Sequence, residues 1–200
     1  MRNRLLAGLF ALTVALLVIA ACRATPKSPA LIPAAYRAWQ TPTNLHLNYP
    51  IPGHEDHYRK IYLNAIGATV QPVSQNGRTV YAYPVGTIIV KEIYAGHDEP
   101  QPNEQPVHLT SMIKAPADTR ALSGWLWVVT DVKMQQETVI DDQFCVECHA
   151  NANEPHPYGD RNPAAAHRDF VFFPPQSWPS SEFTPAPALN GIRYQPAGAY

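Results

Sequence analysis

Cys145-Val146-Glu147-Cys148-His149 puts two thiols and an imidazole within five residues, in the spacing C-x-x-C-H. Two thiols three residues apart lie on one side of a helical turn. There both can add to the two vinyl groups of one porphyrin, and the next residue can set an imidazole under the ring as an iron ligand. The stretch therefore reads as the attachment signature of one covalently bound haem c, with Cys145, Cys148 and His149 binding the cofactor and His149 as the metal ligand. Asp141 and Asp142 just upstream suit a helix start, where carboxylates favour the positive end of the dipole. Two other chemistries use the same pair of thiols. A zinc site would need two more ligands at metal spacing, and no further cysteine lies in the mature body of the chain. A redox dithiol would sit in a βαβ context, which the sequence lacks.

A second cluster of signals lies at the N-terminus. Arg2 and Arg4 precede Leu5 to Ala21, a run of apolar and small residues apart from Thr13. The run is short for a membrane span and reads as a signal peptide over residues 1–21. Ile19-Ala20-Ala21-Cys22 resembles a bacterial lipobox, which makes Cys22 a candidate for lipidation; the alternative is ordinary cleavage that leaves Cys22 a free thiol. Haem c is attached outside the cytoplasm. The two signals thus agree on a bacterial cell envelope protein that faces the periplasm and is anchored to the membrane by lipid.

Two basic residues on strand patterns ask for a reason. Lys91 shares a face with Thr87, Ile89 and Ile93 by two-residue alternation, and Arg59 with Ile61 and Leu63. A lysine among isoleucines either snorkels its ammonium to the rim or has a role inside, and Arg59 is either an edge-strand surface residue or a pocket cation. Met112 and Met134 are each either core filling or a sixth iron ligand.

The elements that must position these residues are mostly strands. A short helix is expected over Pro33 to Trp39. Strands are expected over His57 to Leu63, Thr79 to Tyr83, Thr87 to Ile93, Val107 to Ile113, Gly124 to Thr130 and Arg168 to Phe173, with a turn at Asn76-Gly77. A loop over Asn151 to Ala164 follows the haem helix. Sequential strands with short turns predict an α+β fold, mainly an antiparallel sheet with short helices. The 21 prolines cluster between elements and in the last 25 residues, so 22–32 reads as a tether and 176–200 as a proline-rich tail. The formal net charge is −1 with no basic block, which argues against a nucleic-acid partner. Trp125, Trp127, Phe144, Phe170, Phe172 and Phe173 are candidates to wall the haem and the core.

In one order, several segments resemble the cytochrome P-460 family, which includes the β-sheet form of cytochrome c′. They are Tyr36-Arg37-Ala38-Trp39, Arg59-Lys60-Ile61-Tyr62, Pro84-Val85-Gly86-Thr87 with the strand to Glu92, Met112-Ile113-Lys114, Gly124-Trp125, and Cys145 to His149 followed by Asp169-Phe170-Val171-Phe172. The resemblance covers about residues 33 to 173 and implies a haem domain over 33–175. It implies that Lys91, in the V-K-E strand, stands where the family's lysine is cross-linked to the haem edge, and that Arg59 is a distal cation steadying a small ligand. It also marks a departure. The family's hydroxylamine-oxidising member has a distal carboxylate four residues before the lysine that matches Lys114, and Thr110 stands there in this chain. A hydroxyl holds a hydrogen bond but is no general base, and His108 on the same face is the candidate substitute; its alternative is a solvated loop histidine. The resemblance leaves three roles open. One is an oxidoreductase acting on hydroxylamine or nitric oxide, the second a binder of a small nitrogen-oxide or diatomic ligand, the third an electron carrier with a six-coordinate haem. A periplasmic redox partner and a homodimer go with these readings.

Overall fold

Runs of β-branched and aromatic residues set the architecture, because such side chains pack well on a pleated surface. The computed structural model describes residues 29–43, 45–51, 57–133, 135–158 and 160–175. Its strands are β1 (Arg59–Leu63), β2 (Pro72–Gln75), β3 (Arg78–Tyr81), β4 (Ile88–Ile93), β5 (His108–Lys114), β6 (Trp125–Asp131) and β7 (Gln136–Ile140), followed by helix α1 (Gln143–Ala150). Five strands form one antiparallel sheet in the order β1-β4-β5-β6-β7, and β2 and β3 form a separate hairpin. The mainly antiparallel α+β class read from the sequence is the class observed. The expected signal segment, Cys22, much of the expected tether, Met134 and the proline-rich stretch over 176–200 lie outside the described residues. Contacts divide the chain into two units, 1–30 and 31–200. Of the first, only Pro29 and Ala30 are described, both exposed and irregular.

The sheet has two buried faces. One carries the larger core, in which Leu63, Ile89, Met112, Trp125 and Trp127 meet Tyr83, Val146 and Val171. The other carries a smaller core of Ile32, Tyr36, Val90 and Leu109. Two anchors hold the first described residues of this unit to the sheet. The Glu137 carboxylate of β7 accepts from the Leu31 and Ile32 backbone N–H groups at 2.7 and 2.9 Å. Glu92 of β4 is fully buried and accepts from the hydroxyls of Tyr36, Tyr94 and Tyr62 at 2.7, 2.6 and 3.1 Å and from Arg37 Nε at 2.5 Å. Burial alone would raise this carboxyl; the donors carry it below its ordinary value. Among the described residues no helix is long and apolar enough to cross a membrane.

Two expectations change, and two strands are unforeseen. The helix over Pro33 to Trp39 is a single 3-10 turn at Tyr36–Ala38. β2 is exposed along its length and begins at Pro72, and β7 is half polar, so neither shows the alternation that marks a strand. Arg168 to Phe173 is not a strand. Asp169 and Phe170 have φ of 50° and 70°, the left-handed region, which no strand residue adopts. Only His167 bridges the hairpin, at Val80.

Candidate functional site

Antiparallel pairing sends partners to the same side of a sheet, so the register places the site residues in rows. One row is Ile61, Lys91, Thr110, Val129 and Thr138. The row on one side is Leu63, Ile89, Met112, Trp127 and Ile140; on the other it is Arg59, Ile93, His108 and Asp131. A cavity of about 230 Å³ lies over this face, and its sheet wall includes Arg59, Ile61, Lys91, Thr110, Met112 and Trp127.

Helix α1 also lines the cavity. It starts where it does because Asp142 caps it, accepting from Phe144 N–H at 2.9 Å. Cys145, Cys148 and His149 all line the cavity, and both thiols are free. The His149 ring is wedged between Trp127 and Phe172, with centroids 4.9 and 5.5 Å away, both edge-on. Its Nδ1 meets the Phe170 carbonyl at 2.9 Å. A carbonyl only accepts, so the proton of the neutral ring sits on Nδ1 and the Nε2 lone pair is left for a ligand.

The electrostatics suit a buried acceptor site. Burial, with repulsion from Lys91, pushes His149 down to about 4 against the opposing Phe170 hydrogen bond. Burial also lowers Lys91 to about 7, with the Arg59 guanidinium adding to the shift and the two thiols opposing it. Lys91 and His149 each keep some exposed surface, and that surface is cavity wall. Both thiols are raised, chiefly by burial. Arg59 is 3% exposed and donates from Nε to the Leu47 carbonyl at 2.9 Å and from Nη2 to the Tyr49 carbonyl at 2.6 Å, with its guanidinium 5.1 Å from the Tyr49 ring centroid. It is a pinned pocket cation, not an edge-strand surface residue.

The structure thus brings Cys145, Cys148, His149, Lys91, Arg59 and Thr110 to one cavity. His108 faces the same side but lies one row further out, opposite Asp131, and does not line the cavity. Burial lowers it first, then His57 and Lys91. Met112 lines the cavity beside Trp127, the ring against which His149 packs. Of the expected aromatic wall, Trp127, Phe144, Phe172 and Phe173 line the cavity, whereas Trp125 and Phe170 pack in the core behind it. Tyr83 escaped the sequence reading. It is 4% exposed, lines the cavity, and its hydroxyl has no partner among the described residues. Nothing in a Tyr-Pro pair at the end of an extended stretch signals this.

The donor set fits a haem. It offers two thiols, one imidazole with its Nε2 lone pair uncommitted, and apolar walls. Among the described residues no group of three or more His, Cys, Asp or Glu side chains could hold a bare metal ion, as the zinc alternative would need. A family model for cytochrome P-460 matches residues 33–173. No curated protein matches the chain.

Proposed function

The chain belongs to the cytochrome P-460 family, a family of haem proteins, and from that premise we propose that it is an exported monohaem c-type protein whose open iron face binds a small nitrogen oxide or diatomic molecule. The observation that carries this reading is the cavity in which Cys145, Cys148 and His149 face Lys91, Arg59 and Thr110. Cys145 and Cys148 would hold the haem through thioethers, and His149 would bind its iron through Nε2. When bound, the haem supplies an iron that exchanges single electrons and takes one small ligand.

The residues of the chain then divide the remaining tasks. Arg59, tied to two backbone carbonyls, holds a fixed positive charge beside the cavity and favours ligands that carry or develop negative charge. Thr110 stands opposite Lys91 and offers a hydroxyl where the hydroxylamine-oxidising relative has a carboxylate. This favours ligand binding over proton-abstracting oxidation. Trp127, Phe172 and Phe173 exclude water and limit ligand size. The electron-carrier alternative needs a sixth protein ligand. Met112, the described methionine at the cavity, lies beside the His149 partner Trp127, which supports the open-face reading. Lys91, lowered toward neutrality by burial, would be the amine of a haem cross-link. A lipid anchor at Cys22, a position facing the periplasm, a redox partner there and a homodimer complete the proposal.

The test is the visible spectrum of the dithionite-reduced protein, made in a host that matures haem c, before and after addition of nitric oxide. A Soret band far to the red of an ordinary ferrous haem c, lost in Lys91→Ala, would establish the cross-link. An ordinary five-coordinate spectrum that shifts with nitric oxide supports the ligand-binding role without it. A six-coordinate spectrum indifferent to nitric oxide would overturn the open face and leave an electron carrier.

A further inference from the structure

Asp169 lies outside the cavity lining, yet three donors converge on its carboxylate. Oδ1 accepts from Lys114 Nζ at 2.8 Å and Trp125 Nε1 at 3.2 Å, and Oδ2 accepts from Tyr83 N–H at 3.1 Å. Lys114 and Trp125 sit opposite each other in the β5–β6 register, so both side-chain donors come from one row at the end of the sheet. The Lys114 ammonium also lies 4.8 Å from the Trp125 ring centroid. The ion pair is mostly buried, with side-chain exposures of 15% and 11%. A buried pair of this kind is tolerated only when its remaining hydrogen bonds are satisfied, and breaking one partner is costly.

The backbone at this carboxylate is unusual. Asp169 and Phe170 are consecutive left-handed residues, at φ of 50° and 70°. Aspartate tolerates that region, but phenylalanine does so only when its surroundings hold it there. Asn153 Oδ1 grips the same turn, accepting from Arg168 N–H at 2.8 Å and Phe170 N–H at 3.3 Å. The outcome of the turn is the Phe170 carbonyl, which meets His149 Nδ1 at 2.9 Å.

We propose that the Asp169–Lys114 ion pair is a positioning device for the iron-binding imidazole: it ties the left-handed Asp169–Phe170 turn to the end of the sheet and so fixes the carbonyl that sets the tautomer and tilt of His149. The inference rests on His149 being the haem ligand. Asp169 touches neither the ring nor the haem cavity, and acts through the carbonyl of the next residue. A well-aligned Nδ1–H···O bond raises the donor strength of Nε2, and partners at this distance tune a metal by orienting its ligand.

The test compares the haem-loaded wild type with Asp169→Ala, Asp169→Asn and Lys114→Met. The readouts are the ferrous iron–imidazole stretching band in resonance Raman spectra and the midpoint potential. Asp169→Ala is expected to move the band to lower frequency and the potential to a more positive value, since a misaligned imidazole donates less to ferric iron. Asparagine tolerates the left-handed region and keeps one acceptor oxygen but loses the ion pair, so Asp169→Asn recovers the band only in part. Lys114→Met falls between them and carries the same expectation should Asp169→Ala fail to fold. Variants that lose thermal stability but keep band and potential unchanged would overturn the proposal. A wild-type protein with no iron–imidazole band would instead overturn the reading of His149 on which it rests.

Discussion

Lys91 concentrates the chemistry of the site in one side chain. Burial drops its pKa from the ordinary lysine range to about 7, so the neutral amine predominates above neutrality. The sign gives a prediction. In the haem-free protein, Lys91 is acylated by a small water-soluble reagent at a rate that rises with pH through about 7 and then levels off. An exposed lysine keeps accelerating toward its ordinary value of about 10.4. Peptide mapping by mass spectrometry across pH 5 to pH 10 reads both in one sample. A Lys91 profile parallel to that of surface lysines would show that the ammonium reaches solvent by snorkelling. At this scale the sequence was largely legible. Cys145, Cys148 and His149 announce themselves by spacing, and Lys91 and Arg59 by standing among isoleucines and leucine on strands. Tyr83 gave no signal, because an unpaired hydroxyl is a property of what surrounds it.

The strands and turns act on the site through their packing. The 3-10 turn after Ile32 is pinned by Glu92, on the opposite face of β4 from Lys91. Glu92→Gln removes the charge and one acceptor from a site with four donors. Arg37 is 43% exposed in its side chain, so the ion pair contributes little, and the loss falls on the buried tyrosine hydrogen bonds. The expected cost is about 2 kcal/mol, read as a lower urea midpoint with an unchanged slope. Gly67 is the closer constraint on the cavity itself. A Cβ there would lie 2.4 Å from Leu63 Cδ1 and 2.7 Å from Thr87 Cγ2. Both neighbours are buried, and Leu63 lines the cavity. Gly67→Ala should cost about 1–3 kcal/mol by overpacking and displace Leu63. Urea unfolding gives the first, and a crystal structure of the variant gives the second.

At the scale of the described domain, the larger core cluster supplies much of the cavity wall. Leu63, Ile89, Met112, Trp127 and Val171 belong to both. A haem held through thioethers would stay on the unfolded chain as well, so it would stabilise the fold only through the contacts and iron ligation it makes in the folded state, at any protein concentration. The haem-loaded protein should therefore melt higher than a Cys145→Ser/Cys148→Ser variant isolated without haem. The expected gap is on the order of 10 °C, from a few kcal/mol of linked stability in a domain of this size. Equal calorimetric melting temperatures would mean that the cavity does not depend on its occupant. What the sequence by itself determined is local: the C-x-x-C-H spacing, the Asp142 cap, the Asn76-Gly77 turn and the central strands β4, β5 and β6, each written in residues adjacent along the chain. The tertiary structure decided which rows face one another. It set Lys91 against Thr110, moved His108 out of the cavity and left the Tyr83 hydroxyl without a partner among the described residues. It also turned the expected last strand into the left-handed hook at Asp169 and Phe170. The physical reason is that cross-strand register and buried polar satisfaction are settled between residues far apart in sequence. Asp169 finds Lys114 across 55 residues, and no pattern in either segment records the other.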